Sequence, residues 1–133
     1  MTHVLLADGL AIVRYGTTHI LQEQFPGTQV TTAGNLDELV VCLDESNFDL
    51  LILDIDLAGG DSREILDMIR RKQPGIRILM FSGRILMAHA LHFVAAGAQG
   101  LLLKSESERR LKEAITTIFK GNIYISDGFR DVR

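Results

Sequence analysis

The chain has 133 residues and a formal net charge of −3 at pH 7, and 47% of its residues are hydrophobic. This length and composition predict one globular domain with a substantial core, and the acidic balance provides no basic surface for nucleic acid. The apolar runs are shorter than the roughly 20 residues of a membrane helix, and the single Cys42 cannot form an internal disulfide. We therefore expect a cytoplasmic protein with no membrane segment and no signal peptide.

Strand-like and helix-like segments alternate about five times along the chain. The predicted strands, in chain order, are Val4–Ala7, Gln29–Ala33, Leu50–Asp54, Arg77–Phe81 and Gly100–Leu103. The predicted helices between and after them are Ile12–Phe25, Leu36–Asp44, Arg63–Lys72, Ile85–Ala96 and a last helix that ends near Lys120. Residues 1–121 are therefore predicted to form the domain, and residues 122–133 a tail or the start of a linker to a missing output domain.

This alternation is typical of an α/β fold in which helices cover both faces of a parallel sheet. Five such strands favour the flavodoxin-like (βα)5 architecture with strand order 2-1-3-4-5. Two helix starts carry recognisable signals: Asn35 is a predicted N-cap, and Ser105 with Glu108 matches a capping box. The order places the first and third strands side by side, so their carboxyl ends meet at the crevice where ligands bind in such sheets.

Polar residues follow the predicted buried strands at the same edge of the sheet. Asp54 ends the most apolar run of the chain, and Asp8, Ser82 and Lys104 end three other strands. A buried carboxylate is unfavourable unless it is paired or has a function. Two carboxylates, a hydroxyl and an ammonium that converge on one edge favour phosphoryl chemistry.

Asp54 is the candidate nucleophile, because a carboxylate can attack phosphorus and form an aspartyl phosphate. The negative charge of the phosphoryl group requires a cation, and Mg²⁺ held by oxygen ligands together with an ammonium would supply it. The candidate metal ligands are Asp8, Asp54 and Asp56, and Lys104 is the candidate ammonium.

The chain resembles the receiver domain of two-component response regulators over nearly its whole length. The match includes Asp8, Asp54, Ser82 and the stretch from Ala96 to Lys104, which is its most specific part. The segments 13–16 and 121–126 resemble the subgroup in which a LuxR-type helix-turn-helix follows the receiver.

The resemblance implies that Asp54 accepts a phosphoryl group from a sensor histidine kinase, as in a phosphorelay. Ser82 would then hydrogen-bond the phosphoryl group and Lys104 would pair with it. Such a module is not a metabolic enzyme; at most it phosphorylates itself from small phosphodonors and slowly loses the group. The resemblance also implies a homodimer. It further implies that the protein contacts DNA only through a missing output domain, by which the switch controls transcription.

Several positions differ from the family pattern. Gly9 stands where the family usually has a second acid that touches the metal, so Mg²⁺ binding is expected to be weak. Asp56, whose carbonyl coordinates the metal in the family, carries a carboxylate of its own. Leu101 replaces the aromatic switch residue. These differences leave open a degenerate receiver that acts through protein contacts without phosphorylation.

The predicted fourth helix begins with the apolar residues Ile85, Leu86 and Met87, at a helix start where acidic side chains are favoured. This apolar first turn predicts an interface, with strand five and the last helix beside it, and a homodimer is its simplest use.

Other classes of protein fit the chain less well. The Asp54-Ile55-Asp56 motif also matches the paired aspartates of haloacid dehalogenase-type phosphatases, but those enzymes usually carry it on the first strand. A flavodoxin needs a Ser/Thr-rich phosphate loop after the first strand, and the residues after Asp8 do not provide one.

Overall fold

The computed structural model describes residues 2–58, 62–83 and 92–126, and its elements alternate as the sequence predicts. The strands are β1 His3–Ala7, β2 Gln29–Ala33, β3 Leu50–Asp54, β4 Arg77–Ser82, β5 Gly100–Leu103 and β6 Tyr124–Ile125. The helices are α1 Ala11–Gln24, α2 Leu36–Glu45, the single turn α3 Ile55–Ala58, α4 Ser62–Lys72 and α5 Ser107–Phe119. Residues 92–95 are also helical, and Lys104–Glu106 forms a 3₁₀ turn.

The strands form one parallel sheet with the order β2-β1-β3-β4-β5-β6. The order of the first five strands confirms the flavodoxin-like prediction. In register, Ala7 of β1 lies beside Leu53 of β3, and Asp54 lies beside Phe81 of β4. The carboxyl ends of β1 and β3 are therefore neighbours, which places Asp8 and Asp54 at the same edge.

Alternate residues of the strands enter two cores. On one face, Leu5, Leu51, Ile78 and Leu101 pack in a cluster that also contains apolar side chains of α2 and α4. On the other face, Val4, Ile52, Leu79 and Leu102 pack in a cluster with side chains of α1 and α5. All five residues of β3 are buried, so the strand that carries Asp54 lies between both cores. This explains its unbroken apolar sequence.

Close packing on the second face requires glycine at the start of β5. A Cβ atom added at Gly100 would lie 2.7 Å from Leu79 Cδ1 and 2.8 Å from Ile118 Cδ1. Gly100 therefore lets α5 approach the sheet closely at β5, the strand that precedes Lys104.

The structure differs from the sequence predictions at the end of the chain and at one helix start. β6 is a sixth strand that was not predicted, because a two-residue strand has no measurable periodicity. The capping-box prediction at Ser105 and Glu108 was wrong, since α5 begins at Ser107 and its N-cap has no side-chain hydrogen bond. The predicted cap at Asn35 is confirmed: its Oδ1 accepts the N–H of Glu38 at 2.8 Å.

The side chain of Gln73, directly after α4, links the end of α2 to the segment that precedes β3. Its side-chain oxygen accepts the N–H of Phe48 at 2.9 Å, and its nitrogen donates to Leu43 O at 2.9 Å and Ser46 O at 2.7 Å.

Among the helices that the structure describes, none is both long and apolar enough to span a membrane.

Candidate functional site

The two strand-end aspartates lie together at the carboxyl edge of the sheet. Asp8 follows β1 and is 0% exposed, and Asp54 ends β3 and is 6% exposed. Because β1 and β3 are adjacent, the parallel topology brings the two buried carboxylates to one place.

Lys104 extends from the end of β5 to both carboxylates. Its Nζ lies 2.7 Å from Asp8 Oδ2 and 3.3 Å from Asp54 Oδ1. The same ammonium lies 5.7 Å from the centre of the Phe81 ring, which forms an apolar wall beside it. The lysine side chain is 18% exposed, so the ion pairs are only partly screened by water.

The loop after β1 is arranged around Asp8. The Leu10 N–H donates to Asp8 Oδ1 at 2.9 Å, across Gly9. Arg14 of α1 donates from Nη1 to the Asp8 carbonyl at 2.7 Å. Each side-chain oxygen of Asp8 therefore has a contact, and the loop is tied to the first turn of α1.

The environment of Asp54 disfavours its charged form. Burial is the largest influence and raises the pKa of the Asp54 carboxyl above its ordinary value. Lys104 opposes this and lowers the pKa, the negative charge of Asp8 raises it, and the Asp56 N–H, which donates to Asp54 Oδ1 at 3.1 Å, lowers it. The net direction is upward.

Ser82 and Asp56, the other predicted site residues at this edge, differ in exposure. Ser82 ends β4, is 2% exposed and pairs in register with Leu103, the residue before Lys104. Asp56 lies in α3, the single turn after β3, and its side chain is exposed. The sequence did not predict α3.

The remaining predicted residues lie elsewhere. Leu101 is 1% exposed within β5, between Met80 of β4 and Ile125 of β6. Ile85, Leu86 and Met87 lie outside the described residues. Within residues 2–58, 62–83 and 92–126, no group of three or more His, Cys, Asp or Glu side chains is placed to hold a metal.

Sequence reasoning did not identify three residues that support the site. Arg14 holds the loop of Asp8, and Glu106 and Ser126 contact each other beside the turn that carries Lys104. Arg14 and Ser126 lie in the segments 13–16 and 121–126 that resemble the LuxR-type subgroup. The sequence indicates no role for either residue, because each acts on a residue that only the tertiary fold brings close.

A doubly wound parallel sheet with two buried carboxylates and a lysine at its switch point defines a signalling module of the receiver type. A family model described as the response regulator receiver domain matches residues 4–116. The chain belongs to this family, and the phosphatase and flavodoxin hypotheses lose their support.

Curated relatives agree with this assignment. The chain is 31% identical over 122 residues to the transcriptional activator protein ExaE of Pseudomonas putida, covering 92% of this chain and 57% of that protein. It is 30% identical over 123 residues to the oxygen regulatory protein NreC of Staphylococcus haemolyticus, with coverages of 92% and 57%. The chain thus spans little more than half the length of these relatives.

Solved structures agree in fold. A LuxR-family response regulator from Aurantimonas sp. SI85-9A1 superposes with a TM-score of 0.85 at 30% identity, covering 98% of this chain and 93% of that one. The receiver domain of RcsB from Salmonella enterica serovar Typhimurium shares the fold with a TM-score of 0.84 at 22% identity, with coverages of 98% and 96%. Receiver domains of this kind are signalling modules, generally bind Mg²⁺ at the phosphorylation site, interact with histidine kinases and often dimerise.

Proposed function

We propose that this receiver domain accepts a phosphoryl group on Asp54. The observation that carries the proposal is the position of Lys104, whose ammonium contacts both buried carboxylates at the crevice of the sheet. A carboxylate nucleophile and a fixed positive charge are what phosphoryl transfer to an aspartate requires.

In the proposed reaction, an Asp54 carboxylate oxygen attacks phosphorus and the bond from phosphorus to the donor breaks. The leaving group is a histidine side chain of the kinase or, when acetyl phosphate is the donor, acetate. The new group adds negative charge beside Lys104, which then pairs with the phosphoryl oxygens. Ser82, buried at the end of the adjacent strand, would donate its hydroxyl proton to one of these oxygens.

The donor atoms suit a weakly held Mg²⁺ ion. The carboxylates of Asp8 and Asp54, with the backbone or side chain of Asp56, are hard oxygen ligands, and Mg²⁺ commonly uses one or two carboxylates together with phosphate oxygens and water. When bound, the ion would neutralise charge on the phosphoryl group. Gly9 provides no further acid and Lys104 already contacts Asp8, so we expect low affinity before phosphorylation.

Switching would depend on Ser82 rather than on residue 101. Leu101 is buried and has no polar group to exchange between two environments, whereas a charged group on Asp54 would draw the Ser82 hydroxyl toward it. The Ser82→Ala variant should still be phosphorylated but should lose the conformational response. NMR spectra recorded with and without beryllofluoride test this, and an unchanged response in the variant would exclude Ser82.

In the whole protein, we propose that a sensor histidine kinase is the phosphodonor and that the switch controls transcription through an output domain. The relatives that are named as a transcriptional activator and a regulatory protein support this, as does their greater length. DNA would then contact the output domain and not this acidic receiver. Such a kinase–regulator pair would act in the cytoplasm. The linker would begin after Ser126 rather than at residue 122, because Tyr124 and Ile125 pair with β5.

Intact mass spectrometry after incubation with acetyl phosphate tests the proposal directly. We expect an adduct of one phosphoryl group that requires Mg²⁺ and is absent from Asp54→Asn. Asp44→Asn is a matched control, because Asp44 is an exposed aspartate that pairs with Lys72 far from the site. An adduct that persists in Asp54→Asn would overturn the assignment.

A degenerate receiver is the second candidate, and one observation favours it. Asp8 already accepts the Leu10 N–H and pairs with Lys104, so its own charge is balanced without an added cation. If no adduct forms under any metal condition while the Gly9→Asp variant forms one, the native protein signals by contact alone.

A further inference from the structure

The turn that carries Lys104 is held in place by the residue that follows β6. Lys104–Glu106 forms a 3₁₀ turn directly after β5, and β6 pairs with β5 in parallel. The Ser126 N–H donates to Leu101 O at 2.8 Å, which continues the pairing one residue beyond β6. This places the Ser126 side chain against the turn.

The Ser126 hydroxyl contacts the chain on both sides of Lys104. It accepts the N–H of Leu103 at 3.3 Å and donates its proton to the carboxylate of Glu106. Leu103 is the residue before Lys104, and Glu106 lies two residues after it. Ser126 is 0% exposed, and its hydroxyl both donates and accepts.

We propose that Ser126 is a positioning residue for Lys104, and that β6 thereby couples the phosphoryl site to the following chain. The inference rests on the proposed function, because positioning matters only if Lys104 receives the phosphoryl group. Ser126 acts through Glu106 and Leu103 and touches no reacting atom.

A second hydrogen bond also holds the turn that carries Lys104. Ser107 Oγ donates to Lys104 O at 2.8 Å and holds the turn from its other end. Loss of Ser126 should therefore loosen the turn without unfolding it. A single lost hydrogen bond corresponds to a factor of roughly 2 to 10 in an equilibrium or rate, and we expect changes of that size.

Coupling between two sites is reciprocal. If the paired β6 favours the position of Lys104 that binds a phosphoryl group, then occupation of the site must favour the paired β6 by the same factor. The amide protons of Tyr124 and Ser126, which bond to Gln99 O and Leu101 O, report this pairing directly.

The test compares Ser126→Ala and Glu106→Ala with two controls. Glu106→Gln keeps an acceptor oxygen for the Ser126 hydroxyl, and Ser105→Ala makes the same change as Ser126→Ala at an exposed position of the same turn. We expect the NMR signals of the Lys104 Cε and Nζ, assigned with Lys104→Arg, to shift in both alanine variants. They should stay near the native positions in Glu106→Gln and Ser105→Ala.

Two further readouts follow the same variants. The rate constant of labelling by acetyl phosphate should fall roughly 2- to 10-fold in Ser126→Ala and Glu106→Ala only. Hydrogen exchange of the Tyr124 and Ser126 amides should slow when beryllofluoride is added to the native protein. In Glu106→Ala this slowing should be lost.

The outcomes separate this inference from the proposed function. The Lys104 signals are measured without a phosphodonor, so they decide the positioning even if the native protein accepts no phosphoryl group. Unchanged Lys104 signals in Glu106→Ala, or shifts of equal size in Ser105→Ala, would overturn the inference. If Ser126→Ala does not fold, the comparison of Glu106→Ala with Glu106→Gln is sufficient to decide the positioning.

Discussion

Lys104 Nζ lies 0.6 Å closer to Asp8 Oδ2 than to Asp54 Oδ1, at 2.7 Å against 3.3 Å. The ammonium therefore lies closer to Asp8, a proposed metal ligand, than to Asp54, the residue that is proposed to react. An added cation or phosphoryl group must redistribute these contacts, and the stability of the domain should depend on the lysine.

Lys104→Met should destabilise the domain at pH 7 by about 3 kcal/mol, because it leaves two buried carboxylates without their shared cation. The free energy of unfolding in urea measures the loss, and Lys112→Met at an exposed position of α5 is the control. Adding Asp54→Asn to Lys104→Met should recover part of the loss, since it removes the repulsion between the two acids. A double variant no more stable than Lys104→Met would contradict this account.

The raised pKa of Asp54 predicts a specific pH dependence. Because the folded state holds this proton more tightly than the unfolded state, the stabilisation is complete below the ordinary aspartate pKa and is lost as pH rises through the raised pKa. The stability of Asp54→Asn relative to the native protein should therefore increase from about pH 4 to neutral pH. Urea unfolding at a series of pH values measures the difference, and a difference that shrinks with pH would refute the prediction.

Gly9→Asp should tighten Mg²⁺ binding by about tenfold or more, because the affinity of such sites rises with the number of charged ligands. A Cβ atom at Gly9 would meet only Gly34 O, at 4.0 Å, so the side chain fits without strain. Isothermal titration calorimetry with Mg²⁺ measures the change, and Gly9→Asn separates charge from size. If native binding is already tight and Asp56→Ala abolishes it, Asp56 replaces the missing ligand.

Gln73→Ala should destabilise the domain by about 2 to 4 kcal/mol, because it leaves three backbone groups in or near the core without partners. Thermal and urea unfolding measure the effect. Gln22→Ala, at an exposed position of α1, should change stability by less than about 0.5 kcal/mol. Equal effects at the two positions would show that the Gln73 contacts contribute little.

We also predict a homodimer through the segment that begins with Ile85, Leu86 and Met87, residues that lie outside the described ranges. Exposed apolar area is unfavourable by about 25 cal/mol per Å², and a two-fold contact buries the same patch on both copies. Leu86→Glu with Met87→Glu should be more monomeric in analytical ultracentrifugation than the native protein. A native monomer at high concentration, or an equally tight dimer of the double variant, would place the interface elsewhere.

The sequence was sufficient to predict the first five strands and the edge of the sheet where Asp8, Asp54 and Lys104 meet, for a physical reason. A fully buried strand such as Leu50–Asp54 must be apolar throughout, so its polar last residue stands out. The topology of a parallel sheet then determines which strand ends meet. Asp8, Asp54 and Lys104 could therefore be grouped before any distance was known.

The same reasoning could not find contacts that depend on tertiary placement. β6 has two residues, too few to show alternation, and it pairs with β5 from the far side of α5 in the chain. The pattern Ser105 and Glu108 resembles a helix start, but the turn that directs Lys104 to the acids delays the helix to Ser107. The position of Lys104 therefore overrides the local preference for a helix start at Ser105.

The short sixth strand also affects how the folded domain meets other chains. Without Tyr124 and Ile125, β5 would present the unpaired N–H and C=O groups of an apolar strand at the margin of the sheet. Such a margin is a template for strand addition and aggregation, and very short edge strands are one way in which proteins avoid it. Residues 122–126 thus also cover this edge of the apolar β5, which limits its pairing with a strand of another molecule.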